Sequence, residues 1–137
     1  MLSTLEKWLE TAPWATVVAI NQAICEGKEN APHRAGKGFA AAQQLWEAAT
    51  PRPMKLRQAL DLCRECHALA PFDFFNGNTM AAVGRKMVES FLQRLPSFEG
   101  QMLRNAVGNY VAGVSKYREL EDICAYLNGS LTPGGPG

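Results

Sequence analysis

Cys63-Arg64-Glu65-Cys66-His67 is the part of this chain whose residue types and spacing come nearest to a defined chemistry. Two thiols three residues apart, followed directly by an imidazole, form the pattern in which both sulfurs add to the vinyl groups of a haem and the histidine ligates its iron. Met80 would then be a conceivable second axial ligand. The same three side chains also suit a zinc ion, with Cys25 or Cys124 as the fourth ligand of a tetrahedron. A regular helix presents such a ligand set less well than a knuckle or a turn does. The competing expectation makes Cys63 and Cys66 small core residues and His67 a boundary residue. Haem attachment also normally requires export, and the opening MLSTLEKWLE lacks the basic-then-apolar order of a secretion signal. No cofactor is assigned, and a metal- or haem-binding helical protein is kept as the alternative reading.

The element that must position these residues is a helix over 53–70. Pro53 suits its first turn, where the missing N–H has no intrahelical partner. Leu56, Ala59, Leu60, Cys63, Cys66, His67 and Ala70 recur at three- and four-residue intervals and share one face. Lys55, Arg57, Asp61, Arg64 and Glu65 fall mostly on the other. Pro71 stops the helix, because a proline disfavours helical geometry at the residue before it. The loop 71–79, PFDFFNGNT, then carries Phe72, Phe74 and Phe75 to Asn76-Gly77, a dipeptide suited to turns. Its rings form either a hydrophobic plug under the core or an exposed docking patch.

Within that loop, Pro71-Phe72 and Gly77-Asn78 resemble parts of the signature of Fic-type nucleotidyl transferases, which place HPF, an acidic residue and GNG before an arginine-bearing helix. Ala70 stands where that family has its catalytic histidine, the spacing is longer, and Thr79 replaces a glycine. The resemblance therefore implies no activity.

Around this centre the patterning predicts further helices. The first covers 3–11, with Ser3 and Glu6 spaced as a capping box and Leu5, Trp8, Leu9 and Ala12 inward. A second, 13–26, closes at Gly27. A polar, glycine-rich loop at 27–38 leads to a third over 38–49, and a fifth runs from Asn78 to Leu95. The last segment repeats Leu103, Val107, Tyr110, Val114, Tyr117, Leu120, Cys124 and Leu127 at steps of three and four, as one long helix or two collinear ones. The expected fold is all-α, a compact bundle of five or six helices with a long C-terminal helix, in a single domain over 1–129 followed by a flexible Gly/Pro tail at 130–137.

The chain has 137 residues, 47% of them hydrophobic and 20% charged, enough for one globular core. No apolar run approaches the ~20 residues of a membrane span. With Met1 as the native start, the expected compartment is the cytoplasm, where thiols stay reduced. A net charge of +1 exerts no global pull on nucleic acid. Any such contact must come from a local patch, for which the candidates are Lys28, Arg34 and Lys37 on the loop and Arg52, Lys55 and Arg57 at the start of the central helix. No catalytic set stands out. His33 lies in the glycine-rich loop, and the acidic cluster Glu119, Glu121 and Asp122 reads as a solvated surface rather than an acid/base pair. The leading expectation is a non-enzymatic helical subunit or adaptor of a larger assembly, such as a nucleoprotein complex. It meets partner protein or a second copy through Tyr110, Tyr117, Tyr126, Phe74 and Phe75, and an RNA or DNA backbone through the cations.

Overall fold

The structure is a computed structural model that describes residues 4–131, including the side chains of all but 90, 91 and 128–131. After a 3-10 turn at Trp8–Thr11, the chain forms α1 (Trp14–Cys25), α2 (Phe39–Ala49), α3 (Leu56–Leu69), α4 (Asn76–Met87), the single turn α5 (Glu89–Leu92), α6 (Ser97–Val111) and α7 (Tyr117–Leu131). Helix boundaries follow local chemistry. Pro13 and Pro96 directly precede α1 and α6, and the Pro13 carbonyl accepts from the N–H of Thr16 and Val17. α1 gives way at Gly27, whose φ of +77° favours glycine. α3 ends at Ala70, left-handed at φ 52° just before Pro71.

α4 lies at the centre and packs against α1, α3 and α6. It reaches two of these partners because Gly84 has no side chain. A Cβ there would stand 2.9 Å from Val107 and 3.3 Å from both Leu60 and Val111. Met80, Val83 and Met87 fill the same interface, and Trp46 of α2 is buried with its Nε1 donating to the Ala12 carbonyl at 2.8 Å. Each such side chain, fully buried, contributes about 1.5–3 kcal/mol through area removed from water. The bundle is all-helical among the described residues apart from two isolated bridges, Glu6 with Met54 and Ala35 with Phe72. No helix among them is long and apolar enough to cross a membrane.

Three elements differ from the sequence expectation. The N-terminal helix is reduced to Trp8–Thr11, because Glu6 and Met54 exchange both backbone hydrogen bonds at 2.9 Å. This pairing also delays α3 to Leu56 and leaves Leu5 exposed, while Trp8, Leu9 and Ala12 turn inward as expected. Ser3 lies outside the described residues. The helix expected over 78–95 begins earlier, at Asn76, and breaks at Val88 into α4 and α5.

The third difference concerns the long C-terminal helix, which is instead a hairpin. Gly113 takes φ +79°, the N–H groups of Val114 and Ser115 both donate to the Asn109 carbonyl, and α7 folds back onto α6. The unbroken apolar period misled because both arms turn the same stripe toward one core: Leu103, Val107 and Tyr110 from α6, Leu120 and Leu127 from α7. α7 continues through Asn128-Gly129 to Leu131, and residues 132–137 of the expected tail lie outside the described residues.

Candidate functional site

α3 does not assemble its cysteines and histidine into a ligand set. Cys63 and Cys66 are fully buried, with the Cys66 thiol 4.0 Å from the Ala42 carbonyl on α2. Burial, then the charge of Glu65, pushes the Cys66 thiol up to about 12. Burial and the neighbouring Cys66 raise Cys63 well above its ordinary value. Both are held as thiols in this environment, the opposite of the electropositive setting that activates a cysteine. His67 turns away toward α6, its Nδ1 3.3 Å from the Val111 carbonyl. Cys25 places its thiol 3.7 Å from Asn21 Oδ1, and burial raises half-buried Cys124 to about 11. Met80 is sealed in the core. Among the described residues, no three His, Cys, Asp or Glu side chains converge on a point where a metal ion would sit.

The tyrosines are divided between the inside and the surface. Tyr110 is buried and its hydroxyl donates a short hydrogen bond to Asp61 Oδ1, while Arg64 lies 4.9 Å from its ring centre. Burial, then the bond to Asp61, raises its pKa above the ordinary 10.0. Arg57 stacks 3.7 Å over half-buried Tyr117, and the two rings meet edge to face at 5.6 Å. These four side chains, Arg57, Arg64, Tyr110 and Tyr117, fasten α3 to the α6–α7 hairpin. Tyr126 stands free at 55% exposure. In the aromatic loop, Phe72 is the plug, stacked on Trp14 and edge-on to Phe39, whereas Phe74 and Phe75 are half-buried.

The cations form two groups rather than one patch. The loop carrying Lys28, Arg34 and Lys37 docks at the C-terminal end of α3, where Gly36 N donates to the Pro71 carbonyl and Asp73 N to that of Arg34. Arg52, Lys55 and Arg57 lie at the other end of this 14-residue helix, about 20 Å away at 1.5 Å per residue. Three of the six are already engaged. Arg34 pairs with Asp73 at 3.0 Å, Lys28 donates to the Ile24 carbonyl beside the Phe75 ring, and Arg57 covers Tyr117. Lys37, Arg52 and Lys55 are exposed, although Arg52 borders a cleft shared with Asp61 and Glu65.

Two polar features were not foreseen. Asn21 is fully buried on the apolar face of α1, where its Nδ2 donates to the Phe74 carbonyl at 2.8 Å and to Thr79 Oγ1 at 3.0 Å, while His33 Nδ1 meets its Oδ1 at 2.6 Å. Its signal in the sequence was a lone amide in the stripe Trp14, Val17, Asn21, Cys25. The second feature is a cleft of about 600 Å³ between the ends of α1, α3, α4 and α6. Its polar lining is His67, Asn78, Arg85 and Asn109, and its other walls are small residues and Ile24. No family model, curated protein or solved structure matches this chain, which leaves its chemistry to be judged from the geometry just described.

Proposed function

We propose that this chain is a non-enzymatic helical subunit or adaptor that acts by contact within a larger assembly. The observation that supports this most directly is the exposure of two aromatic side chains, Phe98 at 72% and Tyr126 at 55%. α6 and α7 lie back along one another, so the first turn of α6 and the later part of α7 share one end of the hairpin. Both rings stand out there. Burying a ring such as Phe98 against a partner returns about 1.5–3 kcal/mol, and aromatic residues dominate the energetics of protein interfaces. The same reading extends to a nucleoprotein particle, in which Lys37, Arg52 and Lys55, exposed and outside any ion pair among the described residues, would meet phosphates.

The test is the size of the native particle. The chain purified from its own cells is expected to elute with partner protein, well above the size of a monomer. Phe98→Asp together with Tyr126→Asp, both on the surface and so neutral for folding, should release a folded monomer. A wild-type chain that leaves its cells as a clean monomer would overturn the proposal.

A further inference from the structure

The cleft between α4 and α6 has the chemistry of an anion site, and we infer that it binds a phosphate group through Arg85 and His67. This goes beyond the contact function proposed above and does not depend on it.

Among the described residues, no carboxylate lines the cleft. The one permanent charge among those residues is Arg85, whose Nε donates to the Arg104 carbonyl at 3.3 Å. That bond fixes the guanidinium plane and leaves its terminal nitrogens as donors. The group lies flat over Gly108, where any Cβ would overlap Nη2. His67 is oriented in the same way by its other edge. Nδ1 faces the Val111 carbonyl, an acceptor only, so Nδ1 carries a proton and Nε2 is turned toward Gly77, where a Cβ would come within 3.3 Å of it. Gly77 and Gly108 thus leave room for the two polar side chains and keep the cleft open between them.

Spacing supports one ligand touching both. Gly108 and Val111 are three residues apart on α6, about 4.5 Å of rise, so the guanidinium and the imidazole are anchored one turn apart. In the inferred complex one tetrahedral oxyanion lies between them, with an oxygen directed to each. Asn78 and Asn109 are exposed at the rim, and their side chains make no hydrogen bond to the protein among the described residues. They supply further amide donors, and the positive end of α4 lies on the same side.

The proton inventory selects phosphate over sulfate. With Nδ1–H committed to Val111, the Nε2 lone pair of an unprotonated ring would accept a hydrogen bond only from a ligand that carries its own donor. Inorganic phosphate near neutral pH carries at least one O–H in every molecule, whereas a phosphomonoester, whose second pKa is about 6, keeps one in only about a tenth of molecules at about pH 7. Sulfate carries none, so it gains nothing at such a lone pair and is held by Arg85 and the amides alone.

The experiment is a titration of the full chain with inorganic phosphate, sulfate and adenosine monophosphate, read by the NMR signals of the Arg85 and His67 side chains. Saturable shifts at both residues are expected, with phosphate tighter than sulfate. Arg85→Gln should weaken phosphate binding by about tenfold or more, the worth of one charge-assisted hydrogen bond. Gly108→Ala is expected to do the same with the charge retained, because its methyl displaces the guanidinium from its seat while improving helix propensity. A tighter fit for the nucleotide would mark the ligand as a phosphorylated metabolite, and equal affinity would mark it as free phosphate. The inference is overturned if no saturable shift occurs, if Arg85→Gln binds like the wild type, or if the distant control Arg52→Gln loses as much as Arg85→Gln.

Discussion

His33 Nδ1 lies 2.6 Å from Asn21 Oδ1, and the rest of the Asn21 network fixes the direction of that bond. The Asn21 amide nitrogen donates to the Phe74 carbonyl and to Thr79, so Oδ1 is an acceptor and His33 must be the donor. One buried amide therefore joins α1, the glycine-rich loop, the aromatic loop and α4. Asn21→Leu would strand the Phe74 carbonyl and Thr79 without a partner. It is expected to destabilise the fold by about 2–4 kcal/mol, the cost of leaving buried polar groups unpaired. His33→Ala, at a half-buried position, should cost about 1 kcal/mol and speed amide exchange in residues 27–38. Urea midpoints measure both, and equal losses in the two variants would refute the network.

Gly38 and Gly27 bound the same loop but tolerate a side chain differently. A Cβ at Gly38 would overlap the Leu69 carbonyl, and backbone there cannot step aside, whereas the space around Gly27 is open and only its φ of +77° resists. Gly27→Ala should therefore cost about 1–2 kcal/mol for a left-handed alanine. Gly38→Ala should cost about 3 kcal/mol or more, as overpacking against a rigid neighbour does, and should undock the loop from α3. Thermal melts with amide exchange at Gly36, whose N–H is bonded to Pro71, separate the two outcomes.

Much of the bundle was legible because apolar period reports which face is buried. α1, α2 and α3 fell close to their expected ranges, and Cys63 and Cys66 proved to be the small core residues their spacing allowed. Periodicity says nothing of chain direction, so the stripe from Leu103 to Leu127 read equally well through a hairpin whose corner rests on the φ of Gly113. Long-range pairing was equally invisible. Nothing local to Glu6 foretells Met54, and nothing in the charges of Arg57 or Arg64 foretells the tyrosines they cover. The cleft residues His67, Arg85 and Asn109 come from three helices, and only packing brings them together.

The buried thiols predict how the fold responds to alkali. Cys66 is raised from 9.0 to about 12 in the folded chain, so between those values the native state keeps a proton that the unfolded state loses. Its contribution is complete below pH 9 and declines as pH rises toward 12, by up to about 1.4 kcal/mol per pH unit. Tyr110 and Cys63 shift in the same direction and add to the decline. Stability from urea titrations should fall steadily above pH 9, and Cys66→Ala should flatten that slope. An unchanged slope in the variant would show that the thiol is not held protonated by burial.

Separation of the cations sets the form that nucleic-acid contact must take. Two groups about 20 Å apart along α3 would act as two footholds on a phosphate backbone in the proposed nucleoprotein assembly, where each phosphate neutralised contributes about 0.7–0.9 to the slope of log K against log salt. Arg52→Gln with Lys55→Gln should remove about 1.5 from that slope, since both side chains are exposed and outside any ion pair among the described residues. Arg34→Gln should change it less, because its guanidinium is already paired with Asp73. Arg57→Met should leave the slope nearly unchanged and lower stability instead, through loss of the stack on Tyr117. Fluorescence anisotropy with a labelled oligonucleotide over a salt series measures all three. A slope that ignores Arg52 and Lys55 would remove nucleic acid from the proposed assembly and leave the Phe98 and Tyr126 end as its point of contact.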